Sequence, residues 1–362
     1  MQCAFAPKTE FSRVLKSRVQ EYLKTQDDRP LRRAYALKFT IIAAWYLASY
    51  VGLVFYAQTL LQALALSLSL GLAMAGIGFS IMHGANHGAL PFSRPVSRAL
   101  GWSIDFLGAS SYVWRFKHNV AHHTYTNVDG KDGDLEAGSV ARLSPHQAWH
   151  PMHRFQFIYL WPLYSLSTVN WILVSDWFSI RRCRNKFTSF PAPRGTELVL
   201  LWAGKLTSFS MWFVIPLLVR PWPQAIFFSL LTMMILGFVL AVVFQLAHVV
   251  ELLEFTSVDD SGKLDRDWMT HQLMTTANFA TQDRFLGWYL GGLNFQIEHH
   301  LFAGVADLHY PAISKIVRAT CEEFGLPYHS HPTFLGALAS HQKMLRQLGQ
   351  PPESAAVVAQ AA

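Results

Sequence analysis

Three imidazoles fall within six residues in His118-Asn119-Val120-Ala121-His122-His123. On an α-helix His118 and His122, four apart, lie one above the other on one face. His123 is turned by about 100° from His122. One turn then aims imidazoles at two points, as a pair of metal ions would require. A polar loop that happens to be rich in histidine is the competing account, and the rest of the chain weakens it. His83 and His87 stand at i and i+4, His299 and His300 are adjacent with Gln296 one turn earlier, and His248 stands apart. Neutral imidazole ligates zinc, iron, copper and nickel alike. A structural zinc site takes four ligands, and eight imidazoles are too many for one. No cysteine lies in these clusters, and no carboxylate sits at ligand spacing within the first two. Two metals with nitrogen-rich shells and open positions fit the count. Redox-active iron has an obvious use for such a site, binding O2 and cutting a strong C–H bond. The count alone also admits two zincs.

The elements that must carry these residues are apolar. The chain has 362 residues, 51% hydrophobic and only 15% charged, with 12 Trp and 26 Phe. Soluble domains carry about 25% charged residues, so the balance points to a membrane protein. Phe39 to Tyr56 and Leu60 to Met82 are uncharged runs joined by the short link Ala57 to Thr59. Each approaches the roughly 20 residues that span a bilayer. They read as one transmembrane hairpin, with His83 at its polar end. Glu197 to Val219 and Pro223 to Ala247 read as a second, with His248 in the matching place. Lys205 is the one Lys or Arg inside that second pair and is expected to snorkel. Phe155 to Trp177 is apolar and aromatic but interrupted by Pro162 and several polar residues. It is expected to lie in the membrane interface, where Trp and Tyr are enriched. The Gly-rich acidic stretch with Asp129, Asp132, Asp134 and Glu136 reads as a loop. Phe11 to Leu23 reads as an amphipathic helix, on lipid or in solvent. The odd, widely spaced Cys3, Cys183 and Cys321 suggest neither a disulfide framework nor a zinc knuckle.

Charge sets the expected topology. The chain up to Lys38 carries nine Lys/Arg, the middle polar region twelve and the C-terminal region seven; the inter-span links together hold only Arg220. The positive-inside rule puts the three rich regions in the cytoplasm, with all the histidine clusters on one side of the membrane. The expected fold class is therefore an all-α integral membrane protein. Four transmembrane helices in two hairpins carry a cytosolic cap, made of the polar regions that bear the histidines. The expected divisions are a cytoplasmic arm at 1–37 and the first hairpin at 38–82. The first part of the cap, with its interfacial helix, follows at 83–198. The second hairpin covers 199–247, the rest of the cap 248–350 and a disordered tail 351–362. Arg181, Arg182, Arg184 and Lys186 form a basic cluster suited to lipid headgroups or an acidic partner.

The motif set resembles the membrane fatty acid desaturases, most closely their front-end acyl branch. The match lies in His-x3-His at His83 and His87, His-x3-His-His at His118, His122 and His123, and Gln-x2-His-His at Gln296, His299 and His300. Tyr125-Thr126-Asn127, Gly292-Leu293-Asn294 and His309-Tyr310-Pro311 add to it, and the likeness covers roughly residues 38 to 330. The resemblance implies that the cytosolic cap is helical and holds a di-metal site, a di-iron centre ligated by His83, His87, His118, His122, His123, His248, His299 and His300. O2 is then the co-substrate, and a long fatty acyl chain, on CoA or in a lipid, receives a cis double bond. Gln296 stands where other desaturases have a third-box His and either ligates directly or acts through water. Asn278 orients a ligand or water, or caps a helix. Ala303 departs from the family's usual Pro after His-His-Leu-Phe. No His-Pro-Gly-Gly haem motif occurs, so electrons are expected from a separate carrier, a ferredoxin or a cytochrome with its reductase. A bacterial inner membrane is the expected location, and no nucleic acid is expected as a partner. Trp102, Tyr112, Trp114 and Trp288 are candidates for lining an acyl tunnel. His146, His150 and His153 share helical spacing, but Pro151 interrupts it and the family motif gives them no role. His271, His309, His329, His331 and His341 read as structural or solvated.

Three other activities compete. An acyl or alkane hydroxylase would share the boxes and leave oxygen in its product. A zinc-dependent membrane lipid amidase would need one metal and no O2. A metal transporter would place polar ligands near the bilayer midplane, whereas here they sit at span ends.

Overall fold

The computed structural model describes residues 3–258 and 262–352. The tail expected at 351–362 therefore falls, from residue 353 onward, outside the described residues. Helix α1 (Glu10–Lys24) is followed by α2 (Asp28–Tyr56) and α3 (Leu60–Asn86). Asp27 caps α2 by accepting from the Arg29 N–H. Thr59 and Gln62 form a reciprocal capping box at the start of α3. Three residues therefore suffice to turn the chain between two long helices. Short helices α4 (Arg94–Gly101), α5 (Ser103–Leu107) and α6 (Ser111–Trp114) follow, and α6 runs into a π-helical segment, Arg115–His122. Then come α7 (Pro151–Arg182), α8 (Thr196–Val219) and α9 (Trp222–His248). Five helices among the described residues, α2, α3, α7, α8 and α9, are long and apolar enough to cross a bilayer. The fifth, α7, is the segment expected in the interface.

Helix α7 packs closely along α9. A Cβ on Gly237 would stand 2.5 Å from the Ser165 carbonyl oxygen, so the two backbones meet with no side chain between them. The Ser167 hydroxyl donates to the Gly237 carbonyl at 3.1 Å. Lys205 does not snorkel. It is buried within α8 and pairs with Asp176 at 2.8 Å while donating to the Gly108 carbonyl at 2.7 Å. With a carboxylate in reach, burial with its partner replaces extension to the interface.

The remaining elements gather at the His-bearing ends of α3 and α9. They are α10 (Trp268–Thr275), α11 (Arg284–Tyr289), α12 (Gln296–Leu301), α13 (Tyr310–Glu323) and α14 (Phe334–Leu348). A two-stranded parallel pair, Asn278–Phe279 with Ser330–His331, ties two of the connections together. The amphipathic stretch near the N-terminus packs its apolar face on the protein and leaves Arg13, Lys16, Ser17 and Gln20 exposed. Phe11, Leu15 and Val19 of α1 are buried in one cluster with Ile313, Val317 and Cys321 of α13. Thr9 and Ser12 also donate to the Asp267 carboxylate that caps α10. The three cysteines are free.

Candidate metal centre

Each histidine group is delivered by a helix that departs from α geometry or ends abruptly. A π-helical segment, Ile77–Met82, precedes His83 in α3. The second group sits in the π segment Arg115–His122, where the His123 N–H reaches the His118 carbonyl five residues back at 3.0 Å. Such turns are rare and recur at functional sites. They change the expected pairing: His118 and His123 bring their Nε2 atoms to 3.2 Å. His118 and His122 stack, with ring centres 5.2 Å apart, but their nitrogens join different clusters. The third group is brought in by Gly291 and Gly292, both at positive φ. A Cβ on Gly291 would stand 2.6 Å from the Phe79 carbonyl oxygen. Only glycine lets this turn sit against the π segment of α3, and Ser80 locks it by donating to the Tyr289 carbonyl at 2.9 Å.

All eight imidazoles come together. His83, His87, His118 and His299 form one group, His122, His248 and His300 another, and His123 joins His299 and His300 between them. The Nε2 atoms run in a row: His83 to His118 at 3.0 Å, His118 to His123 at 3.2 Å, His123 to His299 at 3.1 Å. Each such nitrogen carries one hydrogen or one lone pair. Hydrogen bonds can therefore satisfy at most two of these three contacts. Cations bound within the separate groups relieve the contact that no hydrogen bond can make. Two nitrogens bound at about 2.1 Å to one ion stand roughly 3.0–3.4 Å apart at octahedral or tetrahedral angles, which is the spacing seen. His87 Nε2, His122 Nε2 and His123 Nδ1 are buried without a hydrogen-bond partner in the protein. The residues present thus fit a metal pair.

The far side of several rings is held. His122 Nδ1 meets Asp132 at 3.0 Å, His300 Nδ1 meets the Gln272 amide oxygen at 2.8 Å, His248 Nδ1 meets the Thr275 carbonyl at 3.4 Å and His299 Nδ1 meets the Tyr310 hydroxyl at 3.4 Å. Such partners fix the tautomer that leaves Nε2 free to ligate. Burial holds the His118, His123, His299 and His300 imidazoles well below their ordinary pKa, in the neutral, ligating form. Burial pulls His122 the same way, but the carboxylates of Asp132 and Asp134 outweigh it and raise the ring's pKa. Asp132 and Gln272 had no sequence spacing that pointed to the site, and Tyr310 stood in the His309-Tyr310-Pro311 motif without a role of its own. Asp132 lay in a stretch that reads only as an acidic loop.

Asn278 does not face the histidines. Its oxygen accepts from the Ile297 N–H at 2.9 Å, and its amide donates to Glu298 at 2.8 Å and approaches the Tyr328 hydroxyl at 2.7 Å. It caps α12 and anchors the Glu298 carboxyl, just before His299 and His300, which burial pushes up to about 7. Gln296 is buried, and its amide oxygen has no protein partner.

A cavity of about 850 Å³ opens beside the histidines. His83, His118, His122, His248, His299 and Gln296 form part of its wall. Below them it is apolar, bounded by Met74 and Gly78 of α3, Leu160 and Tyr164 of α7, and Leu236 and Leu240 of α9.

A profile of fatty acid desaturases matches residues 58–332. The chain belongs to the fatty acid desaturase family. It is 36% identical to a sn-1 linoleoyl-lipid 6-desaturase of Synechocystis, over 96% of this chain and 97% of that one. It is 36% identical to an acyl-lipid (8-3)-desaturase of Physcomitrium patens, over 96% of this chain and 74% of that one. It is 30% identical to Delta(5) fatty acid desaturase A of Dictyostelium discoideum, over 96% and 77%. The front-end resemblance read from the boxes is thus borne out, and the protein is an oxidoreductase of lipid metabolism. Its apolar helices make it an integral membrane protein.

In this desaturase Trp114 lines the cavity, whereas Trp102, Tyr112 and Trp288 are not on its wall. Trp102 lies under the Arg98 guanidinium, the Tyr112 hydroxyl donates to the Pro191 carbonyl, and the Lys38 ammonium sits over Trp288. Aromatic residues close to the boxes in sequence need not face the same way once the helices turn. The other histidines stay outside the clusters. His146, His153 and His271 reach backbone carbonyls of Phe255, Ser139 and Thr126. His150 packs on His153. His341 bridges Tyr164 and Val249, and His309 meets the Tyr22 hydroxyl.

Proposed function

We propose that this desaturase holds two irons on His83, His87, His118, His122, His123, His248, His299 and His300. It inserts a cis double bond into a long acyl chain of a membrane lipid. The observation that carries this reading is the convergence of buried Nε2 atoms at the wall of an apolar cavity. The names of the relatives, which specify acyl lipids, support the substrate class. The balance is one saturated –CH2–CH2– unit, one O2, two electrons and two protons giving –CH=CH– and two waters. Two irons would supply the reductive use of O2 and the removal of two hydrogens. The chain's own residues do the rest. Asp132, Gln272, Tyr310 and the Thr275 carbonyl orient the imidazoles. Leu236, Leu240, Met74 and Leu160 hold the methylenes straight and exclude water. The amide of Gln296, with no protein partner for its oxygen, hydrogen-bonds water beside the histidines.

We assign α2, α3, α8 and α9 as the four crossings and α7 as a helix lying in the interface. His83 and His248 end their helices in one site, so an even number of crossings must separate them; α8 and α9 supply two, and α7 as a third would put them on opposite sides. The surplus of Lys and Arg supports a cytoplasmic orientation for that side. The sequence's basic clusters suit docking of an acidic ferredoxin or cytochrome, and we assign a bacterial inner membrane. Expression with added iron in a host of simple lipids, followed by mass spectrometry of its fatty acids, tests the reading. The expected result is a new double bond and two irons per chain. Oxygen retained in the product would indicate hydroxylation, and unchanged lipids with a working donor present would overturn the assignment.

A further inference from the structure

The cavity beside the histidines has a second, polar end, and the desaturation reading does not use it. Lys117, Asp134, Glu136, Asn185, Lys186 and Thr188 lie on its wall there. Cys183, at φ 49°, ends α7 and reverses the chain. The turn that follows is closed by Asn185 N–H to the Thr188 carbonyl at 2.8 Å and Phe190 N–H to the Cys183 carbonyl at 3.0 Å. It sets Lys186 against Gly133 of the acidic loop, where a Cβ would be 3.9 Å from the lysine stem. Lys117 is neutralised by Asp134 at 2.5 Å. The Asn185 side-chain amide nitrogen is buried and has no partner in the protein. A buried donor of this kind calls for an acceptor. Phe187 on its wall and Trp177 and Phe178 near the end of α7 are exposed apolar residues, and Arg181, Arg182 and Arg184 are exposed cations. Apolar rings beside guanidinium groups mark the level of lipid headgroups.

We propose that this polar end is a headgroup site for an intact phosphoglyceride, whose phosphate diester is met by Lys186 and the Asn185 amide while its acyl chain runs past the histidines. The proposal rests on the desaturase reading for the fate of the chain but not for the site itself. Lys186 offers a cation and Asn185 an N–H donor beside the carboxylate of Glu136, a donor pair that suits a phosphate better than a sugar. The apolar collar lets a lipid enter sideways from the bilayer, whereas a soluble thioester would have to come from water.

Photolabelling tests the site without needing turnover. The full-length, iron-loaded protein in nanodiscs is given phosphatidylglycerol with a diazirine in its acyl chain. The same chain is given in parallel as a galactolipid and as a CoA thioester, and cross-linked peptides are mapped by mass spectrometry. The expected result is labelling of Leu160, Tyr164, Leu236 or Leu240 by the phosphoglyceride above the other two. Asn185→Ala with Lys186→Glu should reduce it at least about fivefold, the factor one interfacial cation contributes, with iron content and circular dichroism unchanged. Equal labelling in the variant, or stronger labelling by galactolipid or thioester, would overturn the site. Strong phosphoglyceride labelling by a protein that never desaturates its lipids would support the site and count against the activity.

Discussion

Replacing Asp132 by Asn should loosen one metal while leaving the fold in place. The carboxylate is buried and accepts from the Asn127 N–H at 3.1 Å and the Asp134 N–H at 3.0 Å, besides facing His122 Nδ1 at 3.0 Å. Asn keeps the shape and one acceptor but removes the charge. A hydrogen bond to a charged group contributes about 1–2 kcal/mol more than a neutral one, or roughly 5–30-fold in affinity. That overlaps the roughly 10–100-fold cost seen when partners of metal-bound histidines are changed. The assay is iron retained per chain across a series of chelator concentrations. The loss should fall on about half of the iron, since His122 is grouped with His248 and His300 and not with His83, His87 and His118. In a His122→Ala background the second substitution should have no further effect, because Asp132 acts through that ring. Retention within about twofold of the parent, or an equal loss in both backgrounds, would refute the reasoning.

Three other substitutions test the frame around the site. Lys205→Met strands the buried carboxylate of Asp176 and should cost about 3–5 kcal/mol, read as a lowered unfolding temperature in detergent. Adding Asp176→Asn to it should recover part of the loss. Gly237→Ala drives a methyl into the Ser165 carbonyl; overpacking of this kind costs about 1–3 kcal/mol and should appear in the same thermal assay. Leu240→Trp narrows the apolar part of the cavity. It should abolish desaturation of long chains while iron content stays at the parent level.

Much of the frame was legible because hydropathy is local. The uncharged runs Phe39 to Tyr56 and Leu60 to Met82 fall inside α2 and α3, but α2 begins at Asp28. A charged first turn is compatible with a helix, and Asp27 caps it, so loss of apolarity does not mark a helix end. The histidines were legible because a metal needs several of one residue type close together, and their clustering survives in the sequence. Their pairing was not, because the expected periodicity was α-helical and the segment Arg115–His122 is π-helical. Asp132, Gln272 and Tyr310 were missed for a different reason. Their roles depend on contacts with rings 10, 28 and 11 residues away in sequence, carried by other elements. Lys205 was misjudged because its partner, Asp176, lies on another helix.

The π segment Ile77–Met82 makes this protein sensitive to a kind of lesion that sequence statistics would overlook. Such a segment accommodates one residue beyond the α-helical count. Losing a single apolar residue there would let the helix relax to ordinary geometry and rotate His83 and His87 by about 100°. The span would still be long enough, still uncharged and still readily inserted into a bilayer. A hydropathy plot of the shortened gene product would look normal, while the first pair of imidazoles faced the wrong neighbours.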